Sequence, residues 1–325
     1  MKNRLVSRII SFTQRTVSVV RRSRVPLYSC RRAPHKFKQF QHLAVICLMK
    51  YMRTDYRGIV DLLATMPGVM EALGMQRIPH FTTLQKFLQR FGVCRFDAIL
   101  AKTAGLFQCD KVIAAVDGTG HSSDHASVYY AWRTNKKRHS YVRSVIVIDA
   151  EKQCILAQHS NCSVGQNGEN SWFMPLINRA AKRLCISAVV ADKGYDSEVN
   201  HEFVHQDIGA QCMIPVRRGW KNGTVNGHYR RKMVTQFNER LYHRRSKVET
   251  VFSVMKRKFG EDVNSRLQPM QNKEAALLAI VYNIYRYEKT HTEAVFCVVF
   301  YTAFLYNIPL SLLRTKKKTT WPWFP

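Results

Sequence analysis

Two short apolar runs, each ending at an aspartate, constrain the fold of this chain more than any other feature. Residues 112–116 lead to Asp117, and residues 188–191 lead to Asp192. Apolar runs of this length, bounded by turn-forming residues, predict buried strands. In an α/β sheet, functional groups collect beyond the carboxyl ends of such strands, so both aspartates are candidate site residues. Glycine follows each aspartate within two positions, and it would let a metal ion or a phosphate approach the backbone closely.

The patterns around these runs predict a mixed α/β fold. Further strands are indicated at 141–148, 155–159 and 211–216, and helical patterns occur at 169–183 and 239–259. Strands followed by alternating strands and helices are typical of a mixed sheet covered by helices. Residues 36–105, which precede the first strand, have helical patterns throughout. We therefore expect a helical region followed by an α/β domain.

A row of four polar side chains on the last of these helices belongs to the candidate site. At about 100° per residue the four fall within an arc of roughly 60°. They are Tyr242, Arg245, Glu249 and Lys256, and the adjoining apolar stripe is Val248, Phe252, Met255 and Phe259. We expect the helix to pack through the stripe and to present the polar row beside it. A carboxylate among cationic groups suits a metal ion that faces a phosphate backbone.

Glu249 could join Asp117 and Asp192 in a cluster of three carboxylates. Such a cluster is too repulsive to be held together without cations. Two Mg²⁺ ions would relieve the repulsion, activate a water molecule or a 3′-hydroxyl group, and stabilise the leaving oxygen. The residues alone leave a structural alternative, in which the aspartates form turns at strand ends and Glu249 is one solvated charge on a basic helix.

The charge of the chain indicates a polyanionic partner. Lys and Arg number 51 against 22 Asp and Glu, which gives a formal net charge of +29. DNA or RNA is the first candidate partner and an anionic membrane surface is the second. We interpret residues 1–35 as a basic extension, either a flexible arm held to DNA by charge or a segment with little function. Nine scattered cysteines without CxxC spacing fit a reducing cytoplasm.

Two further segments leave alternatives open. Residues 56–63 and the segment that starts at Pro79 suggest two short helices with a tight break between them. The polar side chains of the second helix predict a helix-turn-helix-like DNA reader; they are Thr82, Thr83, Gln85, Lys86, Gln89 and Arg90. A plain helical bundle with polar outer faces is the alternative. Residues 294–313 carry no charge and meet the length criterion for a membrane span. Because Tyr, Asn and Pro dilute this segment, we expect a buried helix or a degenerate tail at 291–325, and no membrane partner.

Three motifs resemble those of DDE-type insertion-sequence transposases. They are Ala115-Val116-Asp117-Gly118-Thr119-Gly120, Ala191-Asp192-Lys193-Gly194-Tyr195-Asp196 and Tyr242-x2-Arg245-x3-Glu249-x6-Lys256. The third matches the Tyr-Arg-Glu-Lys signature of one large bacterial and archaeal transposase group at all four positions. The resemblance covers residues 36–290. It implies a ribonuclease H-like catalytic domain at 106–290, preceded by a helical DNA-binding domain at 36–105.

The resemblance also implies roles for individual residues. The implied catalytic residues, which would bind two Mg²⁺ ions or Mn²⁺ as a substitute, are Asp117, Asp192 and Glu249. The implied contacts to phosphates or an end base of the transposon are Tyr242, Arg245 and Lys256. Lys193 is a further candidate DNA contact. Trp220 would either stack on an unpaired base or cover the edge of the core.

The implied reaction has two steps on double-stranded DNA. Water attacks a phosphodiester at a terminal inverted repeat and frees a 3′-hydroxyl group, which then attacks target DNA. A homodimer is expected because two transposon ends must be held together, and the expected location is the cytoplasm, at the nucleoid. Three alternatives remain: a nuclease on the same core that cuts without joining, a decayed element that acts only as a DNA-binding protein, and a membrane-attached basic protein, which rests only on residues 294–313.

Overall fold

A five-stranded mixed sheet forms the centre of the fold between residues 111 and 213. The computed structural model describes residues 7–32, 34–108, 110–122, 141–161, 168–217 and 224–305, with side chains described as far as residue 291. The strands are β1 (Lys111–Ser122), β2 (Tyr141–Asp149), β3 (Ile155–Asn161), β4 (Cys185–Ala191) and β5 (Gln211–Met213). Their order is β3-β2-β1-β4-β5. The pairs β1–β2 and β2–β3 are antiparallel, and β1–β4 and β4–β5 are parallel. The mixed α/β fold is thus confirmed, with the strand order of a ribonuclease H-like core.

Helices precede the sheet and cover both of its faces. Those before the sheet are α1 (Arg8–Arg22), α2 (Gln39–Tyr51), α3 (Tyr56–Ala64), α4 (Pro67–Leu73), α5 (Phe81–Arg90) and α6 (Val93–Ala104). Those within or after it are α7 (Phe173–Ala181), α8 (Glu198–Gln206), α9 (His228–Gln236), α10 (Glu239–Tyr242), α11 (Ser246–Phe259) and α12 (Gln268–Leu305). Short 3-10 turns lie at Gly105–Phe107, Glu169–Trp172, Lys193–Tyr195 and His243–Arg245.

Alternate residues of β1 belong to two different cores, because successive side chains of a strand point to opposite faces. Ala114 and Val116 pack with α7 and α8 on one face. Ala115 belongs to the other core, which continues through α2, α11 and α12 into the N-terminal helices. Helix α2 is apolar on almost every side and is buried along nearly its whole length. The helical region and the sheet therefore share one continuous core.

The interpretation of the N-terminus as a flexible arm is wrong for Arg8–Arg22. This segment is helix α1, with the Ser7 hydroxyl as its N-cap, accepting a hydrogen bond from the backbone of Ile10. Phe12 and Val20 are buried against the neighbouring helices, and Arg15 pairs with Glu288 of α12 at 2.9 Å. The basic residues are spaced so that an apolar stripe remains between them, and burial of that stripe orders the helix.

Strand β1 is longer than its apolar run predicts. The expectation that the strand ends at Asp117 is wrong, because β1 continues to Ser122 in antiparallel register with β2. Asp117 pairs with Ile146, and Ser122 pairs with Tyr141. Backbone hydrogen bonds to β2 hold the polar, glycine-rich half of the strand, so its pairing does not depend on apolar side chains. Asp117 therefore lies inside a strand, beside the end of β4.

The single long helix expected at 239–259 is instead interrupted. It consists of α10, the 3-10 turn at His243–Arg245, and α11. The apolar stripe is buried as expected, at Val248, Phe252, Met255 and Phe259. Because a 3-10 turn winds more tightly than an α-helix, Tyr242 and Arg245 do not lie on the same regular helix as Glu249.

Helix α12 runs without a break through the boundary expected near residue 290. Its first half is buried among α2, α6 and the sheet, where Leu277, Ile280 and Ile284 are inaccessible to solvent. In the described part of the chain, none of the helices combines the length and the hydrophobicity needed to cross a bilayer.

Candidate active site

Asp117 and Asp192 occupy equivalent positions on neighbouring parallel strands. Val116 of β1 pairs with Ala191 of β4, so the next residue along each strand is an aspartate. The Asp117 carboxylate accepts a hydrogen bond from the Gly118 N–H at 2.8 Å. The Asp192 carboxylate caps the 3-10 turn that follows it and accepts from the Gly194 N–H at 3.4 Å. The sheet thus brings the two predicted aspartates together.

Arg245 links the third predicted carboxylate to the first. Its Nη1 lies 3.0 Å from Asp117 Oδ2, and its Nη2 lies 2.6 Å from Glu249 Oε1. The 3-10 turn that carries Arg245 packs against β1 and β4, which brings the guanidinium to the strand ends. The side chain of Asp117 is 19% exposed, whereas that of Glu249 is 58% exposed. One cation therefore bridges a mostly buried carboxylate and a mostly exposed one.

The surroundings of Asp117 disfavour its charged form. Burial raises the pKa of this carboxyl group, and the carboxylates of Asp192 and Glu169 raise it further. The Gly118 N–H and the Arg245 guanidinium act in the opposite direction, but the pKa remains above its usual value. Additional positive charge at this place would stabilise the ionised carboxylate.

The donor set fits a hard divalent cation. Carboxylate oxygens are the ligands that Mg²⁺ and Mn²⁺ prefer, and Arg245 already places a positive charge between Asp117 and Glu249. Within the part of the chain that the structure describes, no three His, Cys, Asp or Glu side chains stand close enough together to hold a metal ion. Mutual repulsion keeps carboxylates apart when no metal ion lies between them.

The predicted DNA contacts lie at different distances from this cluster. Tyr242 ends α10, with its ring 5.3 Å from that of Phe237. Lys193 is exposed directly after Asp192. Lys256 lies two turns beyond Glu249 and donates a hydrogen bond to Glu261 at 2.7 Å. Trp220 lies outside the described residues.

Two residues near the cluster were missed from the sequence. Glu169 carries a carboxylate that packs over Gly118. Tyr195 is 2% exposed, and the pKa of its phenol is raised by burial and then by Glu169, Asp117 and Asp192. Tyr195 belongs to the second motif, so the sequence could have indicated it as a site residue. Glu169 belongs to none of the three motifs and stands only at the start of a predicted helix, so the sequence does not indicate it as a site residue.

Asp196 fixes the chain that follows β4. Its buried carboxylate accepts hydrogen bonds from Arg230 at 2.9 and 2.7 Å, from the Arg217 N–H at 2.7 Å and, through the ring, from His201 at 3.1 Å. Although burial raises the pKa of Asp196, these bonds together hold it below its usual value. They connect α8, α9 and the segment that follows β5 to Asp196, four residues beyond Asp192.

Comparison with known proteins identifies the family of this chain. No curated protein matches it. One similar solved structure is a cryo-EM structure described as a piggyBac transposase synaptic complex with hairpin DNA, at 10% identity and a TM-score of 0.46. That match covers 89% of this chain and 74% of the other. A family model described as "Transposase DDE domain" matches residues 108–284, more than half of the chain. The chain therefore belongs to the transposase DDE domain family, and it is a DNA transposase, an enzyme that cleaves DNA and transfers its strands.

Proposed function

We propose that Asp117, Asp192 and Glu249 are the catalytic carboxylates of this transposase. The observation that carries the proposal is the Arg245 guanidinium, which lies 3.0 Å from Asp117 and 2.6 Å from Glu249. It joins the helix after the sheet to the strand pair that holds the two aspartates. If the aspartates were only turn residues and Glu249 only a solvated charge, no cation would be needed between them. Arg245 instead contacts both Asp117 on a strand and Glu249 on a helix that is distant in sequence.

DDE transposases use divalent metal ions, and we propose two Mg²⁺ ions here, with Mn²⁺ as a substitute. Asp117, Asp192 and Glu249 are the residues that would hold these ions. Metal ions bound there would supply positive charge to the attacking and leaving oxygens of an in-line displacement at phosphorus. The raised pKa of Asp117 supports this proposal, because cation binding favours the ionised carboxylate.

The reaction that we propose is cleavage followed by strand transfer. In the first step a water oxygen bonds to phosphorus and the P–O3′ bond breaks, which leaves a 3′-hydroxyl group and a 5′-phosphate. In the second step that 3′-oxygen bonds to a phosphorus of the target DNA and displaces the target's own 3′-oxygen. The carboxylates orient the attacking oxygen, and the basic residues around them hold the DNA backbone.

We propose that Arg245 exchanges partners when DNA binds. Cations at the carboxylates would displace the guanidinium, and Arg245 would then pair with a phosphate, for which its planar fork is suited. Tyr242 and Lys193 flank the same cluster and are proposed as further contacts. Lys256 would have to exchange Glu261 for DNA, which is feasible because that ion pair is partly exposed.

Several broader features are also proposed. The spacing of Tyr242, Arg245, Glu249 and Lys256 supports membership of the group with the Tyr-Arg-Glu-Lys signature. Residues 36–105 are proposed as the DNA-binding domain and 106–290 as the catalytic domain. A homodimer is proposed because two transposon ends must be held together, and the net charge of +29 supports association with the nucleoid. Light scattering with and without repeat DNA tests the dimer, and a protein that stays monomeric on DNA would contradict it.

The DNA-binding domain can be tested at α5. Gln85, Lys86 and Arg90 are exposed on this helix. We expect the double change Lys86→Ala and Arg90→Ala to weaken binding to terminal-repeat DNA in a mobility-shift assay. Lys111→Ala, at an exposed lysine at the start of β1, is the matched control. Equal binding by all three proteins would contradict the assignment.

The catalytic assignment is tested with DNA that flanks the coding region. The protein is incubated with Mg²⁺ and two forms of the terminal repeat, one intact and one already cut to expose the 3′-hydroxyl group. We expect cleavage of the first and joining of the second to target DNA. Asp192→Asn should abolish both reactions, whereas Asp207→Asn, at an exposed carboxylate after α8, should preserve both. Equal activity of the two variants would overturn the assignment.

A further inference from the structure

A fourth carboxylate reaches the candidate site from the other face of the sheet. Glu169 begins the 3-10 turn before α7. A Cβ atom placed on Gly118 would lie 2.5 Å from both Cδ and Oε2 of Glu169. A side chain at position 118 would therefore require the Glu169 carboxylate to shift. Because successive side chains alternate along β1, Gly118 faces the side opposite to that of Asp117.

The two sides of β1 are arranged in a similar way. On the side of Asp117, the Glu249 carboxylate approaches and Arg245 supplies the cation. On the side of Gly118, the Glu169 carboxylate approaches and Arg143 supplies the cation, with Nε 3.6 Å from Oε1. The Arg143–Glu169 distance is long for a hydrogen-bonded pair. Each incoming carboxylate is thus balanced by an arginine.

Tyr195 provides an independent observation at the same place. Its ring packs in the core beside Phe173, 5.5 Å between centroids, and only 2% of the residue is exposed. Its hydroxyl group has no hydrogen-bond partner among the described residues. The carboxylates of Glu169, Asp117 and Asp192 all act on it electrostatically. A buried hydroxyl without a partner is costly, and here it lies within the field of the acidic cluster.

We propose, building on the proposed function, that Glu169 is a fourth carboxylate ligand of the divalent-metal site and that Tyr195 is its positioning residue. Glu169 approaches β1 next to Asp117, with oxygen donors of the type the site requires. With a cation bound, the Tyr195 hydroxyl group, which has no partner among the described residues, would donate a hydrogen bond to the Glu169 carboxylate and hold that side chain in place. The site would then take ligands from both faces of the sheet.

The test measures Mn²⁺ binding by titration calorimetry on the full chain without DNA. We expect Glu169→Gln to weaken binding about tenfold or more, within the range found when groups that support metal sites are removed. Glu202→Gln, at an exposed glutamate on α8, is the matched control and should bind as the unaltered protein does. Because Glu169 is part-exposed, its replacement leaves the fold intact, which circular dichroism verifies.

Tyr195→Phe separates positioning from folding. Without metal its melting temperature should be equal to or above that of the unaltered protein, since the change removes an unpaired buried hydroxyl group. The rise in melting temperature on adding Mn²⁺ should nevertheless be smaller. If Mn²⁺ stabilises Tyr195→Phe fully, the positioning role is overturned.

Asp192→Asn distinguishes failure of this inference from failure of the proposed function. Loss of Mn²⁺ binding in Asp192→Asn, together with unchanged binding in Glu169→Gln, would overturn the fourth ligand and leave the proposed function standing. Unchanged binding in both variants would overturn the metal site itself, and the inference with it.

Discussion

Replacing Glu274 with glutamine would leave a buried ammonium group without a counter-charge. The Glu274 carboxylate on α12 lies 3.0 Å from Lys50 Nζ on α2, and the two side chains are only 4% and 8% exposed. The same carboxylate accepts hydrogen bonds from the Asn264 N–H at 2.9 Å and from the Ser265 hydroxyl. It therefore connects the N-terminal helices to α12 and to the loop after α11.

The expected loss in the free energy of unfolding follows from the burial of the Lys50–Glu274 ion pair. Removing one partner of a buried ion pair costs about 3–5 kcal/mol. We expect Glu274→Gln to lie at the lower end, about 3 kcal/mol, because the amide oxygen can still accept from the backbone or from Ser265. Lys50→Met should cost less, about 2 kcal/mol, since the carboxylate keeps two donors. The double variant should lose less than the sum, because it leaves no buried charge unpaired.

Urea unfolding at neutral pH, followed by circular dichroism, measures these losses. Glu261→Gln is the matched control, since it breaks the Lys256–Glu261 pair of similar length, in which Glu261 is 54% exposed. An exposed pair is worth about 0–1 kcal/mol. The reasoning is refuted if Glu274→Gln costs no more than this control, or if the losses of Lys50→Met and Glu274→Gln add without coupling.

Three further predictions follow from individual contacts. Arg245→Ala should tighten Mn²⁺ binding without DNA about fivefold in calorimetry, because a competing cation worth about 1 kcal/mol is removed; weaker binding would contradict the competition. Asp196→Asn should lower the urea midpoint at neutral pH. The lowered pKa of Asp196 means that its contribution is present above about pH 4 and is lost as the pH falls through the folded-state value, so the two midpoints should converge in acid; a constant difference would count against this. Asn283→Ala should cost about 2 kcal/mol in urea, because it leaves the backbone N–H and C=O of Ile155 unpaired in the core; a loss below about 0.5 kcal/mol would show that the groups find other partners.

Arg245 shows how a residue's role depends on what is bound. The sequence predicts a DNA contact, and the structure places the guanidinium on two carboxylates. Both arrangements satisfy the same charge, because an arginine fork pairs equally with carboxylate and phosphate. The contact to Asp117 and Glu249 offsets part of their negative charge, and under the proposed function cations and DNA would replace it.

Local patterns predicted much of the fold correctly. The period of Val248, Phe252, Met255 and Phe259 predicted a helix face, and all four are buried. The apolar runs before Asp117 and Asp192 predicted strands, which are β1 and β4. Burial of apolar side chains drives both features, and it is written in the spacing of residues close in sequence. Strand length was less predictable, because backbone pairing with β2 extends β1 through a polar segment.

The sequence by itself determined the chemistry of this protein: a mixed α/β fold, two aspartates after apolar runs, a glutamate on a basic helix, and the motifs of a DDE transposase. Only the tertiary structure decided which charges meet. Arg245 between Asp117 and Glu249, and Glu169 over Gly118, join segments that are distant along the chain. Such contacts depend on how strands and helices pack, and no spacing within one segment encodes them.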